Sequence, residues 1–148
     1  MTVTIEELQK LEGTRLLGGA LVIEPHENAI LEHALRAPKA EAGIAHPMWF
    51  IVISLRCLGI SVNELCEMAR KSEDDTLLFG NCEIDQHAPL SVGARYRAEA
   101  FIASTGSRTT RDGSRLDNVD VRLEIFDETG TYSGAVTSVY LFKRGGAQ

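Results

Sequence analysis

The sequence lacks several features that would each indicate a particular class of protein. Its three cysteines are odd in number and form no CxxC pair, which favours reduced core cysteines over a disulfide framework. Acidic residues outnumber basic ones by 21 to 15, and a net charge of -6 argues against a general nucleic-acid binder, because phosphate recognition needs a basic face. No apolar run approaches the ~20 residues of a membrane helix, and the first residues show no signal-peptide pattern.

The composition that remains is typical of an ordinary globular protein. Apolar residues make up 44% of the 148-residue chain and charged residues 24%, and no repeat, low-complexity segment or linker interrupts it. A chain of this length buries roughly two-thirds of its unfolded surface. We therefore expect one domain over residues 1–148, located in the cytoplasm, with no nucleic-acid or membrane partner.

Helical signals dominate the first part of the chain. Thr4 and Glu7 form a capping box that predicts a short helix over residues 5–12. Residues 16–24 contain two glycines and favour a first strand with a bulge or a close backbone approach. Over residues 26–37 an apolar stripe opposes a polar stripe at helical spacing. The apolar stripe consists of Ile30, Leu31, Ala34 and Leu35, and the polar stripe of Asn28, Glu32 and Arg36.

A second predicted helix, residues 47–58, is apolar on almost every side and is therefore expected to be central. Ser61 and Glu64 form another capping box, for a helix that ends at Arg70. Period-two alternation then predicts four antiparallel strands, of which the last two are joined by a DETG turn. These strands span residues 77–85, 95–103, 118–126 and 132–142. The order indicates an α+β fold, with a curved antiparallel sheet wrapped around the central apolar helix.

Three motifs follow one another within residues 16–142. They are GIAHPMW at the start of the central helix, HAPLSVGARYRAEAFI, and the closing hairpin IFDETGTYSGAVTSVYLF. Their sequences and order resemble those of MaoC-like hydratases and dehydratases, a branch of the hot-dog fold superfamily. The resemblance implies the hot-dog fold, a dimer whose two sheets join edge to edge, and acyl thioesters of coenzyme A or of an acyl carrier protein as substrates.

The sequence departs from this family where the catalytic loop would stand. Active members carry an aspartate and a histidine in a G-D-x-N-P-x-H loop before the central helix, whereas the interval here is APKAEAG, which contains neither. Three alternatives follow. The chain is a hydratase or dehydratase with a relocated histidine, a thioesterase that uses the same helix terminus, or a non-catalytic subunit. The last would pair with an active hot-dog partner as a heterodimer, in place of a homodimer.

The start of the central helix is the expected binding site for a thioester carbonyl. The first backbone N–H groups of a helix have no partner within it and lie at the positive end of its dipole. Pro47 has no N–H, so Met48 and Trp49 are the expected donors. Gly43 is expected to leave room for the acyl chain. The alternative is a turn that is packed for stability alone.

His46 is the candidate general acid or base, because an imidazole carries either charge state near neutral pH. His33, on the preceding helix, is expected to meet His46 across the shortened loop. Glu41 would orient the pair, or would act as the base of a thioesterase. This catalytic set rests on proximity in the sequence.

Arg108 and Arg111, with Arg115 close by, are the candidate ligands for coenzyme A phosphates or for the acidic face of a carrier protein. Guanidinium groups suit phosphate recognition, and the alternative is a solvated hairpin loop. No cluster of histidine, cysteine and carboxylate side chains has the spacing of a metal site. We therefore expect neither a metal nor a cofactor.

Overall fold

The computed structural model describes residues 2–38 and 42–145, and within them four helices and six strands form. The helices are α1 (Ile5–Gln9), α2 (Pro25–Ala34), α3 (Trp49–Arg56) and α4 (Val62–Met68). The strands are β1 (Arg15–Leu16), β2 (Ala20–Val22), β3 (Thr76–Gln86), β4 (Arg95–Thr109), β5 (Arg115–Phe126) and β6 (Tyr132–Lys143).

The strands form one antiparallel sheet in the order β1-β4-β5-β6-β3, with β2 also paired to β4. Strand β5 lies in its middle, and its alternation of apolar and polar residues is reproduced as alternating burial. Strand β3 forms one edge, and no described strand pairs with its outer side. The four long strands that the alternation predicts are therefore all present.

Helix α3 lies against the concave face of this sheet and supplies the middle of the core. Trp49, Phe50 and Ile53 are at most 1% exposed and pack with buried residues of β4, β5 and β6. Gly134 of β6 allows the close approach, because a Cβ there would lie 2.7 Å from a ring carbon of Phe50. The prediction of a curved sheet around a central apolar helix is confirmed.

Helices α1 and α4 cover the other end of the sheet. Leu8 and Leu65 are each 1% exposed and pack with Phe142 of β6 in a second apolar cluster. Both predicted capping boxes are present, at Thr4 and at Ser61. The caps satisfy backbone N–H groups of helices that are only five and seven residues long, so they define where these short elements start.

The predicted first strand, residues 16–24, is interrupted by Gly18. The backbone at Gly18 passes so close to the carbonyl of Ala98 that a Cβ would overlap it, and Gly18 forms an isolated bridge with Leu58. The close backbone approach predicted from the glycines is therefore confirmed. The prediction of one continuous strand is wrong, because β1 and β2 pair with β4 on either side of this crossing point.

The orientation predicted for helix α2 is only partly right. Ile30 and Leu35, on the predicted apolar stripe, are 65% and 45% exposed, whereas Asn28 of the polar stripe is 6% exposed. Leu31 does pack against the core. Asn28 faces inward because its side chain accepts hydrogen bonds from His46 and Trp49 at the start of α3. Hydrophobic periodicity cannot predict such a contact with another segment.

A buried ion cluster ties the end of β6 to the segment after α4. The guanidinium of Arg144, 1% exposed, donates to Asp117 at 2.8 Å and to Asp75 at 3.0 Å. Burial disfavours the charged form of Asp75. Two backbone N–H groups and Arg144 outweigh it, however, and hold the pKa of Asp75 below its ordinary value. The cluster holds Arg144 and Gly145 against the segment that follows α4.

Candidate active site at the start of helix α3

The turn before α3 is fixed by backbone hydrogen bonds to the segment before β4. Ala45 donates to the Leu90 carbonyl at 2.8 Å, and Val92 donates to the Gly43 carbonyl at 2.9 Å. Gly43 has a φ of 86° and open space where a Cβ would stand, so its backbone angle accounts for glycine at this position. A role for Gly43 toward an acyl chain stays a prediction.

The side chain of His46 accepts a hydrogen bond in the turn that precedes α3. The Met48 N–H donates to His46 Nδ1 at 3.0 Å, and the Trp49 N–H donates to the His46 carbonyl at 3.0 Å. The two backbone donors expected for a thioester oxygen are therefore both paired within the turn, and Pro47 has none. The positive end of the helix dipole remains at this point, with the imidazole placed directly in front of it.

Asn28 of α2 holds the same turn from the other side. Its Oδ1 accepts from the His46 N–H at 3.1 Å and from the indole Nε1–H of Trp49 at 3.0 Å, while its Nδ2 donates to Glu32 at 2.5 Å. Helical periodicity places Asn28 on a polar stripe and does not predict this role. One signal for it was present, since a buried tryptophan N–H needs an acceptor.

A pocket of about 390 Å³ opens beside this turn. Apolar side chains from three segments line most of it, including Ala45, Phe50 and Leu90. His46 and Gln86 at the end of β3 are the polar side chains in its wall. Because Nδ1 is engaged by the backbone, the ring edge that carries Nε2 is the part of His46 left for the pocket. Among the described residues no side chain pairs with Nε2.

A second, smaller pocket of about 230 Å³ lies between α2 and α3, and Trp49 lines it. The Arg56 guanidinium lies 5.8 Å from the centre of the Trp49 ring and pairs with Glu27 at 2.8 Å. The hydrogen bond from Arg56 lowers the pKa of Glu27. Trp49 thus borders a space on the outer side of α3, separate from the pocket that His46 lines.

The other two members of the predicted catalytic set lie apart from His46 or beyond what the structure describes. His33 is exposed and borders a different surface depression together with Glu32 and Arg36. No described contact joins His33 to His46. Glu41 lies outside the described residues, and its predicted role as an orienting carboxylate or base stays a prediction.

The arginine segment predicted as a loop is mostly strand. Strand β4 continues to Thr109 and β5 begins at Arg115, so the turn is confined to residues 110–114. Arg115 is engaged by Asp117 at 2.7 Å, whereas Arg108 and Arg111 are exposed. Arg108 lies at the opposite end of β4 from the pocket, roughly 40 Å along the strand at ~3.3 Å per residue. Within one chain, these arginines and His46 are not brought together.

Two negative findings concern the part of the chain that the structure describes. Residues 2–38 and 42–145 contain no group of three or more histidine, cysteine or carboxylate side chains that could hold a metal ion. In the same residues no helix combines the length and the apolar character needed to cross a membrane.

Comparison with solved structures identifies the fold. No protein-family model matches the sequence, and no curated protein matches it significantly. The ChsH1–ChsH2 complex from Mycobacterium tuberculosis is similar with a TM-score of 0.70 and 11% identity, over 97% of this chain and 92% of that one. The HadBC (3R)-hydroxyacyl-ACP dehydratase complex of the same organism has a TM-score of 0.66 and 12% identity, over 88% and 96%.

A MaoC-like dehydratase from Rhodospirillum rubrum is similar as well, with a TM-score of 0.60 and 12% identity, over 98% of this chain and 99% of that one. At these identities the likeness shows the fold. The fold predicted from the sequence is confirmed: the chain has the hot-dog fold, and its structure is similar to that of a MaoC-like dehydratase.

Proposed function

We propose that this protein is an acyl-thioester hydratase or dehydratase of the MaoC-like type that works as a dimer. The observation that carries the proposal is the pocket at the start of α3, where an imidazole stands at the positive end of a helix inside a mainly apolar wall. Addition of water to an enoyl thioester, or its reversal, passes through an enolate. A hydrogen-bond donor at the helix terminus stabilises the negative oxygen of that enolate.

The pocket suits the acyl end of such a substrate. Its volume of about 390 Å³ lies in the usual range of small-molecule sites, which are mostly apolar with a few polar groups that fix orientation. Phe50 and Leu90 would contact the acyl chain, and His46 would face the thioester carbonyl. Coenzyme A and acyl carrier protein both present the acyl group on the same pantetheine arm, so the two carriers fit this arrangement alike.

The edge strand β3 supports the dimer. Phe79 and Ile84 are 57% and 40% exposed although they point to the same face as the buried residues Tyr140 and Val136, their register partners on β6. A long edge strand with exposed apolar side chains invites pairing with another chain. A second chain joined along β3 would extend the sheet, cover these side chains, and bring new residues next to Gln86 at the rim of the pocket.

A heterodimer with a second hot-dog chain is the alternative that one observation favours. The described residues place no carboxylate or second histidine beside the pocket edge of His46. The HadBC and ChsH1–ChsH2 structures are complexes of two chains. This supports a heterodimer as the alternative. In that case the acid–base pair would come from the partner, and this chain would shape the acyl pocket.

The test is turnover by the purified protein, measured in two assays with crotonyl-CoA. Loss of the conjugated enoyl absorbance reports hydration, and thiol release reports hydrolysis. We expect hydration without thiol release, and a His46→Asn variant slower by at least ~10²-fold, the usual scale for loss of one donor to a developing oxyanion. His26→Asn, at an exposed histidine, is the matched control and should be unchanged.

Each remaining outcome contradicts a specific part of the proposal. Thiol release with no hydration would identify a thioesterase. Activity that appears only when a second hot-dog chain is added would identify the non-catalytic subunit. Full activity in His46→Asn would remove His46 from the mechanism.

A further inference from the structure

The hydrogen bond between Met48 and His46 decides which nitrogen of the imidazole carries the proton. A backbone N–H can only donate, and it lies 3.0 Å from His46 Nδ1, so Nδ1 must be the acceptor and carry no proton. A neutral imidazole has one N–H. In the neutral side chain that N–H is therefore at Nε2, the ring nitrogen that is not engaged by Met48, on a residue that lines the pocket.

The surrounding contacts hold the residue in this arrangement. The His46 N–H donates to Asn28 Oδ1, and the His46 carbonyl accepts from the Trp49 N–H. Asn28 Oδ1 also accepts from the buried Trp49 indole, and its amide group donates to Glu32. The oxygen of Asn28 must therefore face α3, since only an oxygen accepts two N–H groups. The backbone on both sides of the imidazole is anchored, which fixes the ring relative to Met48.

We infer that His46 acts in the pocket as a hydrogen-bond donor through Nε2–H, and not as a general base. The inference rests on the proposed function, because the acceptor is the carbonyl oxygen of a bound acyl thioester. Met48 donates to Nδ1, and Nε2–H donates to the thioester oxygen. The imidazole therefore connects the positive end of α3 with the substrate in the pocket. Chains of hydrogen bonds of this kind polarise one another. The Met48 and Trp49 amides are already hydrogen-bonded within the turn. The Nε2–H of His46 takes their place as the donor to the substrate.

The chemical step follows from this assignment. In hydration, the oxygen of water bonds to the β-carbon, and the π electrons of the C=C bond move onto the thioester oxygen, which Nε2–H stabilises. The proton of the attacking water would pass to a carboxylate or imidazole of the second chain of the dimer, since the described pocket wall contains no carboxylate. The same proton, or one from solvent, then joins the α-carbon as the carbonyl re-forms. His46 holds its proton throughout.

The tautomer can be measured directly, without any substrate. In long-range ¹H–¹⁵N spectra of protein labelled at histidine, we expect a pyridine-type signal for Nδ1 of neutral His46 and a pyrrole-type signal for Nε2. The His46→Asn variant assigns the signals, and the exposed histidines His26, His33 and His87 serve as internal references. A pyrrole-type Nδ1 in His46 would overturn the inference.

A pair of matched variants tests the donor role. His46→Asn keeps an acceptor where Nδ1 stands but loses the N–H at the position of Nε2, whereas His46→Gln places an amide N–H close to that position. We expect crotonyl-CoA hydration to fall by on the order of 10²-fold or more in His46→Asn, as for loss of one oxyanion donor, and by a smaller factor in His46→Gln. Equal losses in both variants would overturn the donor role. If the wild-type protein, alone and with a hot-dog partner, hydrates no thioester, the proposed function fails, while the nitrogen spectra still decide the tautomer.

Discussion

Replacing Asn28 tests whether one amide holds α2 to the start of α3. In Asn28→Ala, the Trp49 indole N–H, in a residue 1% exposed, loses its only described acceptor, and the partly buried His46 N–H loses its side-chain acceptor as well. A buried donor left unpaired costs about 1–3 kcal/mol. Since the His46 N–H can reach water more easily, we expect the free energy of unfolding to fall by about 2–4 kcal/mol.

A double-mutant cycle with Trp49→Phe isolates the indole hydrogen bond from changes in packing. Once the indole N–H is removed, loss of Asn28 should cost less, and we expect a coupling energy of about 1–2 kcal/mol. The assay is urea unfolding followed by circular dichroism, because Trp49 is the single tryptophan and its fluorescence is lost in two of the four proteins. A coupling below about 0.5 kcal/mol would mean independent sites and would refute this reasoning.

Three further predictions concern other parts of the molecule. Arg144→Met removes the guanidinium that Asp75 and Asp117 share, which leaves Asp117 with Arg115 and Asp75 with two backbone N–H groups, and it should lower the free energy of unfolding by about 3–5 kcal/mol. The exposed control Arg108→Met should change it by less than about 0.5 kcal/mol, and equal effects in urea unfolding would contradict this. Phe79→Lys on the β3 edge should convert a dimer to a monomer in light scattering, and Leu55→Lys on α3, where the side chain is 67% exposed against 57% for Phe79, should not; a dimer that survives Phe79→Lys would exclude this edge. Because the pKa of Asp75 is lowered on folding, its stabilising effect is complete above its ordinary value of 3.8 and is lost as pH falls below it. Unfolding at a series of pH values should show a steeper acid decline in the wild type than in Asp75→Asn, and parallel curves would contradict the shift.

The sheet and the central helix could be predicted because their signals are local. In β5, Val119, Val121, Leu123 and Ile125 alternate with polar residues, and all four are buried in the structure. A period of two has one structural interpretation when it continues over this length. The central helix could be predicted for a similar reason. Its sequence has apolar residues on almost every side, and a helix of this kind is expected to lie in the core.

Other features depended on residues far away in the sequence. Asn28 is buried because of donors on His46 and Trp49, 18 and 21 residues later, and no pattern within α2 contains this information. The ends of β4 and β5 were also set by pairing: Thr105 and Arg108 lie opposite Val119 and Leu116, and these partners keep a polar, glycine-containing segment in strand conformation.

The candidate site was predicted in part for the same reason. His46 stands out in the sequence because it directly precedes Pro47, the first residue of the central helix predicted over residues 47–58. Its hydrogen-bonding role, however, depends on where the Met48 N–H points, which only the three-dimensional turn defines. Whether His33 meets His46 depends on the distance between the two side chains in the fold. The spacing of the two residues along the sequence does not determine this distance.

The most direct test of the central claim is a crystal structure of the protein with a coenzyme A analogue in which a methylene replaces the thioester sulfur, so that hydrolysis is prevented. We expect the analogue's carbonyl oxygen to lie within ~3.2 Å of His46 Nε2 and its acyl chain to contact Phe50 and Leu90. An analogue bound elsewhere, or a carbonyl oxygen in this pocket that is held by groups other than His46, would contradict it.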